Sequence, residues 1–298
     1  MTGVIAVVPA SAPTRRLTTI PPHAYFVVSA VFHYLGPAFA VLLFVRADVL
    51  GVAWLRIATA AVVFALWRRP WRLLSLLDAV GRRLLLAWGT VLAVMNSCFY
   101  LVIDRLPLAT VAAIEFVPVI ALAALGAHTT RNAAALMLAA GGVYTLTGVR
   151  IEGEPLAVGL AVANAVLFAL YIVLGHRVSR LQGMGGIDGL AGAMLVAALV
   201  ATPMAGWAAA PVLLDPVALA AGTGVGVASS VIPYVCDQLA MARLARPTYA
   251  LLNSLLPATA TIVGVVVLAQ LPSLVELAGV GLVVGGVALH RPAPRLSH

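Results

Sequence analysis

The sequence predicts an all-α integral membrane protein with ten transmembrane helices, arranged as two inverted five-helix repeats with both termini in the cytoplasm. Three observations predict this class: the composition, a series of apolar spans, and the distribution of arginine. Hydrophobic residues make up 63% of the 298 residues and charged residues only 9%, and the mean hydropathy is +1.08. A soluble chain of this length has far more charged residues, so we expect most of this one to lie in lipid.

Ten apolar stretches follow one another, separated by very short linkers. Each is close to the roughly 20 residues that a helix needs to cross a bilayer core. The predicted spans are 24–45, 49–67, 84–103, 107–127, 132–149, 156–175, 189–210, 216–242, 247–268 and 274–290. The corresponding division is an N-terminal tail over 1–23, a first repeat over 24–149, an external linker over 150–155, a second repeat over 156–290 and a C-terminal tail over 291–298.

The arginines predict the orientation in the membrane. The chain contains no lysine, so its net charge of +8 rests on 18 arginines. With the N-terminus inside, 14 of the 18 fall on the cytoplasmic side, and the opposite loops are rich in acids. The positive-inside rule therefore selects two cytoplasmic termini and an even number of spans. The same rule explains the basic balance, so we expect no nucleic-acid partner.

The two halves of the chain share a pattern. DRLPLATVAAIEFVP (104–118) and ARLARPTYALLNSLLP (242–257) both contain an Arg-Leu pair followed by a helix with a mid-span proline. Arg105 and Arg243 are 138 residues apart, and the two prolines are 139 apart. Five spans is an odd number, so the second half must be inserted upside down. Inverted repeats with interrupted helices are typical of alternating-access transporters, although channels and intramembrane enzymes can also be repeated.

Glu115 is the first candidate for a functional role, because it lies in the middle of the fourth span. An acid at that depth costs about 3 kcal/mol on insertion scales and therefore usually faces a protein interior or a wet cavity. Pro118 frees a backbone carbonyl one turn back, close to the acid. We interpret Glu115 as a site for substrate or for a coupled proton, the alternative being a structural partner of another polar group.

Asp237 in the eighth span is a second candidate for proton coupling, unless it lies near the surface and pairs with Arg243.

Arg56 in the second span is predicted to hold a substrate carboxylate through a bidentate contact, or else to extend to an interface or pair with an acid. Asn96 and Tyr100 are four residues apart and share a helical face, either on a pathway or as links between helices.

Four further residues are predicted to contact substrate: His33, Tyr34, Tyr171 and Tyr234. Asn164, in contrast, is expected to serve packing.

The motifs of several other functional classes are absent from the sequence. The chain has no GxxxxGK[ST] loop and no HExxH or clustered metal-ligand pattern, so we expect no ATPase and no metal site. The two cysteines, Cys98 and Cys236, lie in apolar stretches and are interpreted as packing residues. The scattered polar groups assemble no catalytic constellation. We therefore expect no cofactor and no enzymatic activity.

The residues resemble those of the EamA-type branch of the drug/metabolite transporter superfamily, and within it the threonine/homoserine exporters of bacterial inner membranes. The resemblance covers roughly residues 24–290. It rests on Leu55–Arg56, Pro70–Trp71–Arg72, Met95–Asn96, Phe99–Tyr100, Pro107–Leu108, Glu115–Phe116, Tyr171–Ile172 with Gly175 and Arg177, Pro233–Tyr234, Arg243–Leu244, Thr248 and Pro257.

This resemblance implies a secondary transporter in the bacterial inner membrane that exports small amino acids, such as threonine and homoserine, or related metabolites. It implies proton antiport with alternating access, so that the partners are a small-molecule substrate, membrane lipid and the proton gradient. Three positions depart from the family pattern, which has glutamate where this chain has Asp237, Leu256 and Gln270. Glu115 and Asp237 therefore remain as the acids for coupling. An alternative is a flippase-like carrier of lipid-linked envelope precursors.

Overall fold

The chain folds into a bundle of α-helices. The computed structural model describes residues 20–72, 77–125, 129–148, 155–179, 181, 186–241, 243–244, 252 and 255–289. Its helices are α1 Pro22–Leu43, α2 Val49–Arg68, α3 Ala79–Ile103, α4 Leu108–Leu125, α5 Thr130–Gly148, α6 Pro155–Val178, α7 Gly186–Ala205, α8 Ala210–Leu214, α9 Pro216–Gly226, α10 Ile232–Met241, α11 Leu256–Leu268 and α12 Leu274–Leu289. Most of the predicted tails and of the external linker lies outside the described residues.

The predicted all-α membrane class is confirmed. The described residues contain no strand. Helical segments that are long and apolar enough to cross a membrane are Pro22–Leu43, Val49–Arg68, Ala79–Ile103, Pro155–Val178, Gly186–Leu214 and Pro216–Ala240. Shorter apolar helical segments are Leu108–Pro118 within α4, Leu256–Leu268 and Leu274–Leu289. The count of ten spans, the inverted relation of the two halves and the orientation of the termini stay predictions.

Aspartates cap the N-termini of three helices. Asp48 accepts hydrogen bonds from the backbone N–H groups of Leu50 and Gly51 at 2.8 and 3.2 Å. Asp215 caps α9 in the same way. Asp78 accepts from the N–H of Gly81 at 2.7 Å, so α3 begins five residues earlier than predicted from hydropathy. A cap satisfies N–H groups that the helix itself leaves unpaired, and these acids therefore have a structural role in the short loops.

Two of the predicted spans are irregular. The seventh continues from α7 through a 3₁₀ turn, Gly206–Ala209, into the short α8. The eighth is interrupted by a π-helical turn, Val227–Val231, between α9 and α10. Such π turns add a residue to the helical turn and re-aim neighbouring side chains, and they are frequent at functional sites. In the predicted ninth span, the described helix begins at Leu256, and residues 245–251 and 253–254 lie outside the described residues.

Helices of the N-terminal half of the chain pack against helices of the C-terminal half. Helix α2 packs on α7, α4 on α11, and α5 on α12. Helix α1 packs on α10 and α11, and α6 packs correspondingly on α3 and α4. Small residues allow the closest approaches: a Cβ added at Gly36 of α1 would lie 2.7 Å from the backbone nitrogen of Ser229 in the π turn. This packing leaves a space between the halves, which is the candidate site.

Candidate functional site

A cavity of about 340 Å³ lies between the two halves. Its lining comes from α1, α2, α3, α4, α6, α7, α10 and α11. The lining residues are Ser29, His33, Tyr34, Arg56, Met95, Asn96, Phe99, Glu115, Phe116, Phe168, Tyr171, Ile172, Leu190, Tyr234, Asp237, Gln238 and Leu256. All the predicted site residues except Tyr100 line this cavity.

Arg56 is buried in the centre of the protein with only 4% of its surface exposed. Its Nε donates a hydrogen bond to the hydroxyl of Ser230 at 2.8 Å, and its Nη2 donates to the carbonyl of Ser229 at 3.2 Å. Both acceptors belong to the π turn, which presents consecutive residues to the same guanidinium. Among the described residues Arg56 forms no ion pair. The buried side chain does not extend to an interface, and its predicted contact with substrate stays a prediction.

Tyr100 does not line the cavity. Its side chain is fully buried, and its ring lies beneath the guanidinium of Arg56, with 5.3 Å between the guanidinium carbon and the ring centroid. The predicted direct contact with substrate does not fit this position, because α3 turns Tyr100 towards α2 and Phe44 while Asn96 faces the cavity. The aromatic face instead stabilises the buried cation.

Glu115 is 7% exposed, and its carboxylate lines the cavity. Asn164 of α6 donates a hydrogen bond from its amide nitrogen to Oε1 of Glu115 at 2.6 Å. Asn164 was expected to serve packing, and this contact corrects that interpretation. The sequence contains the two polar residues but not their pairing, because they lie on helices that meet only in the folded bundle.

Glu115 and Arg56 form no ion pair with each other, although they line the same cavity. The cavity therefore presents a buried cation and a buried acid as separate groups. Buried charges are costly unless paired, which makes both of them candidates for contact with a ligand or a proton.

The remaining predicted residues lie on two sides of the cavity. His33 contacts Tyr34 edge to face at 5.5 Å between ring centroids and lies 6.4 Å from the ring of Tyr234. Asp237 and Gln238 of α10 lie together on the lining. Asn96 faces the cavity, but its amide nitrogen donates to the carbonyl of Leu92 in its own helix.

Sequence reasoning missed the remaining lining residues, seven of which are apolar: Ser29, Met95, Phe99, Phe116, Phe168, Ile172, Leu190, Gln238 and Leu256. Most of these side chains have the same chemistry as the core, and hydropathy gives no signal that separates a cavity wall from a helix contact. The described residues contain no group of three or more His, Cys, Asp or Glu side chains that could hold a metal ion.

The sequence is similar to those of known transporters. Residues 155–290 match the EamA-like transporter family. The threonine/homoserine exporter RhtA of Escherichia coli (strain K12) is 29% identical over 257 residues, which are 84% of each chain. The exporter of the same name from Salmonella typhimurium (strain SL1344) is 29% identical over 265 residues, or 86% of each chain. The chain is therefore similar to EamA-like transporters, over residues 155–290 for the family itself and over most of its length for these two exporters.

A solved crystal structure has a similar fold. It superimposes with a TM-score of 0.57 at 20% identity and covers 91% of this chain and 98% of its own. At this identity the likeness concerns the fold alone. The length and apolar composition of the described helices indicate a multi-pass membrane protein.

Proposed function

We propose that the chain is a secondary transporter of the bacterial inner membrane that exports amino acids or related small metabolites by proton antiport with alternating access. The observation that carries the proposal is the separation of Arg56 and Glu115, two buried and mutually unpaired groups that face one cavity. Threonine and homoserine are the first candidate substrates, because two relatives are named as exporters of these amino acids.

The arrangement of the two charges suits a zwitterion. The guanidinium of Arg56 retains donors beyond those used by Ser229 and Ser230 and is suited to the planar carboxylate of an amino acid. Glu115 offers an acceptor for the ammonium group. A bound amino acid would place its carboxylate at Arg56 and its ammonium group at Glu115. These contacts would offset the free-energy cost of burying the two charged groups.

Glu115 is also suited to couple transport to protons. A carboxylic acid that alternately binds an ammonium group and a proton exchanges one for the other, which is the requirement for antiport. Asp237 lines the same cavity and is the second proposed coupling acid. Leu256, where the resembled exporters have glutamate, also lies on the lining, so this part of the cavity has no acid.

Gln270, the other departure from the family pattern, lies away from this cavity. Its Oε1 accepts a hydrogen bond from the backbone N–H of Leu108 at 3.2 Å, at the beginning of α4. A neutral amide therefore caps α4 at a contact between the two halves, and we assign it no part in coupling.

The packing of the helices supports the proposed inverted repeats. If the two halves are repeats, α1 corresponds to α6, α3 to α10 and α4 to α11. The contact of α1 with α10 then corresponds to the contact of α6 with α3. In the same way, the contact of α1 with α11 corresponds to that of α6 with α4. Both members of each pair are present. The α2–α7, α4–α11 and α5–α12 contacts convert into themselves. Such a paired pattern of contacts supports two structural repeats, which are common in transporters that work by alternating access.

The test is counterflow in proteoliposomes preloaded with threonine or homoserine and supplied outside with each of a panel of labelled amino acids. We expect saturable exchange in the wild type and its loss in Glu115→Gln. The matched control is Glu276→Gln, a buried glutamate outside the cavity whose helix-capping contact with Ser273 a glutamine can also make. Absence of exchange for every amino acid, with folded protein, would refute the proposal and favour a lipid-linked substrate.

A further inference from the structure

The cavity has a long apolar wall beside Glu115, and it begins on α6. Phe168 and Tyr171 follow Asn164 by four and seven residues, so they share its face of the helix. At 1.5 Å per residue they lie about 6 and about 10 Å along α6 from the amide that binds Glu115. A ligand whose ammonium group lies at Glu115 therefore has these two rings within reach of its side chain.

The aromatic rings of this wall on α6 stack on one another and on α3. The rings of Phe168 and Tyr171 stack with 6.3 Å between centroids and 14° between planes. Tyr171 stacks in turn on Trp88 of α3, at 5.6 Å and 30°. Trp88 is 6% exposed and packs directly over Gly175, where an added Cβ would lie 2.9 Å from the indole ring. Because the three rings support one another, the wall presents a preformed aromatic surface.

Other helices extend the apolar surface. Phe116 directly follows Glu115 on α4, Phe99 contributes from α3, and Leu256 contributes from α11. The lining therefore includes apolar side chains from α3, α4 and α11 as well as from α6.

The small polar side chains of the lining are engaged within the protein. The hydroxyl of Ser29 donates to the carbonyl of Pro233 at 3.1 Å, and the amide nitrogen of Asn96 donates to Leu92. The volume of about 340 Å³ falls within the range of roughly 300–1,000 Å³ typical of sites for ligands much larger than threonine.

We infer that the preferred substrate of this site is an amino acid with a large apolar side chain, aromatic or long aliphatic, rather than a short hydroxylated one. The inference rests on the proposed amino-acid transport and refines it: Arg56 and Glu115 bind the zwitterion, and the wall formed by Phe168, Tyr171 and Phe116 binds the side chain. Threonine can bind Arg56 and Glu115 through its charged groups, but its short side chain makes no contact with the aromatic wall.

The experiment is competition in counterflow, with purified full-length protein in proteoliposomes. Unlabelled phenylalanine, leucine, methionine, threonine and homoserine compete with labelled threonine. We expect phenylalanine or leucine to give half-maximal inhibition at a concentration at least about tenfold lower than threonine itself, the size of effect that a hydrophobic pocket gives. In Phe168→Ala we expect the ratio of the two half-maximal concentrations to fall to near parity. Phe39→Ala on the outer face of α1, where Phe39 is 46% exposed, is the matched control and keeps the wild-type ratio.

Each outcome decides between the two proposals. If threonine and homoserine exchange but the apolar amino acids compete no better, the side-chain inference is wrong and amino-acid export stands. A preference that survives Phe168→Ala unchanged overturns the assignment of the wall. If no amino acid exchanges or competes in folded protein, the proposed function itself fails.

Discussion

Asn164 and Glu115 form a buried hydrogen bond that joins the two halves of the chain, with the amide nitrogen of Asn164 2.6 Å from Oε1 of Glu115. The contact fixes the orientation of the carboxylate at the cavity. Replacing Asn164 by alanine leaves the carboxyl group without this donor, and we expect a loss of about 1–3 kcal/mol in unfolding free energy together with reduced exchange. Thermal unfolding in detergent and counterflow measure the two effects. Exchange at the wild-type rate would show that Glu115 needs no positioning.

Arg56→Lys tests whether the guanidinium, rather than a positive charge alone, is required. Lysine keeps the charge but loses the planar fork that reaches Ser229, Ser230 and a carboxylate together. We expect exchange to fall by at least about tenfold, equivalent to roughly 1.4 kcal/mol. Arg68→Lys is the matched control, since Arg68 forms a half-exposed ion pair with Asp188 away from the cavity. Equal effects of the two substitutions would contradict a specific role for Arg56.

The Arg68–Asp188 ion pair joins α2 to α7, with 2.6 Å between Nη2 and Oδ1. Both side chains are partly exposed, at 25% and 32%, and solvent screens their attraction. We therefore expect Asp188→Asn to lower stability by less than about 1 kcal/mol, with the difference shrinking as salt rises. Thermal unfolding at low and high ionic strength measures it. A large, salt-independent loss would indicate that the pair is structurally essential.

Gly36→Ala tests the close approach of α1 to the π turn. The added methyl would lie 2.7 Å from the backbone nitrogen of Ser229 and 2.8 Å from its Cα, so the two helices must separate. We expect overpacking to cost about 1–3 kcal/mol and to disturb the acceptors of Arg56. Gly141→Ala is the control, because a methyl there meets nothing within 4 Å in the described residues. The control should leave stability unchanged or raise it. Equal unfolding temperatures for the two variants would refute the packing argument.

Proton coupling through Glu115 predicts a change in the pH dependence of exchange. Glutamine at this position cannot take up or release a proton, so any residual exchange in Glu115→Gln should no longer vary with external pH as it does in the wild type. Initial rates over a series of external pH values, at constant membrane potential, measure this. Asp237→Asn provides the comparison for the second acid. A wild-type pH profile in Glu115→Gln would remove Glu115 from the coupling step.

The orientation predicted from arginine is tested by reporter fusions. Alkaline phosphatase fused at Arg295 should be inactive and green fluorescent protein at the same point fluorescent, because the C-terminus is predicted to be cytoplasmic. Phosphatase inserted at Asp104, in a predicted external loop, should be active. The reverse pattern would invert the proposed topology.

Most of the fold was accessible from the sequence because lipid imposes a simple rule. A backbone in hydrocarbon must satisfy its own hydrogen bonds, so every long apolar stretch becomes a helix. Hydropathy therefore located the helices. It placed the start of α3 five residues too late because the cap at Asp78, rather than apolarity, begins that helix. The π turn at Val227–Val231 had no such signal, since it depends on the fit of α9 and α10 against α1.

The sequence by itself determined the class of protein and drew attention to most of the polar groups at the cavity, because a charged or polar residue inside an apolar span is costly and therefore conspicuous. Only the tertiary structure decided how those groups are used. It placed the ring of Tyr100 against Arg56 and left Arg56 without an acid among the described residues. It joined Asn164 to Glu115. It also stacked Phe168 and Trp88 on the ring of Tyr171. The physical reason is that these contacts join helices distant in sequence, and the rotation of each helix is determined by packing against its neighbours rather than by its own hydropathy.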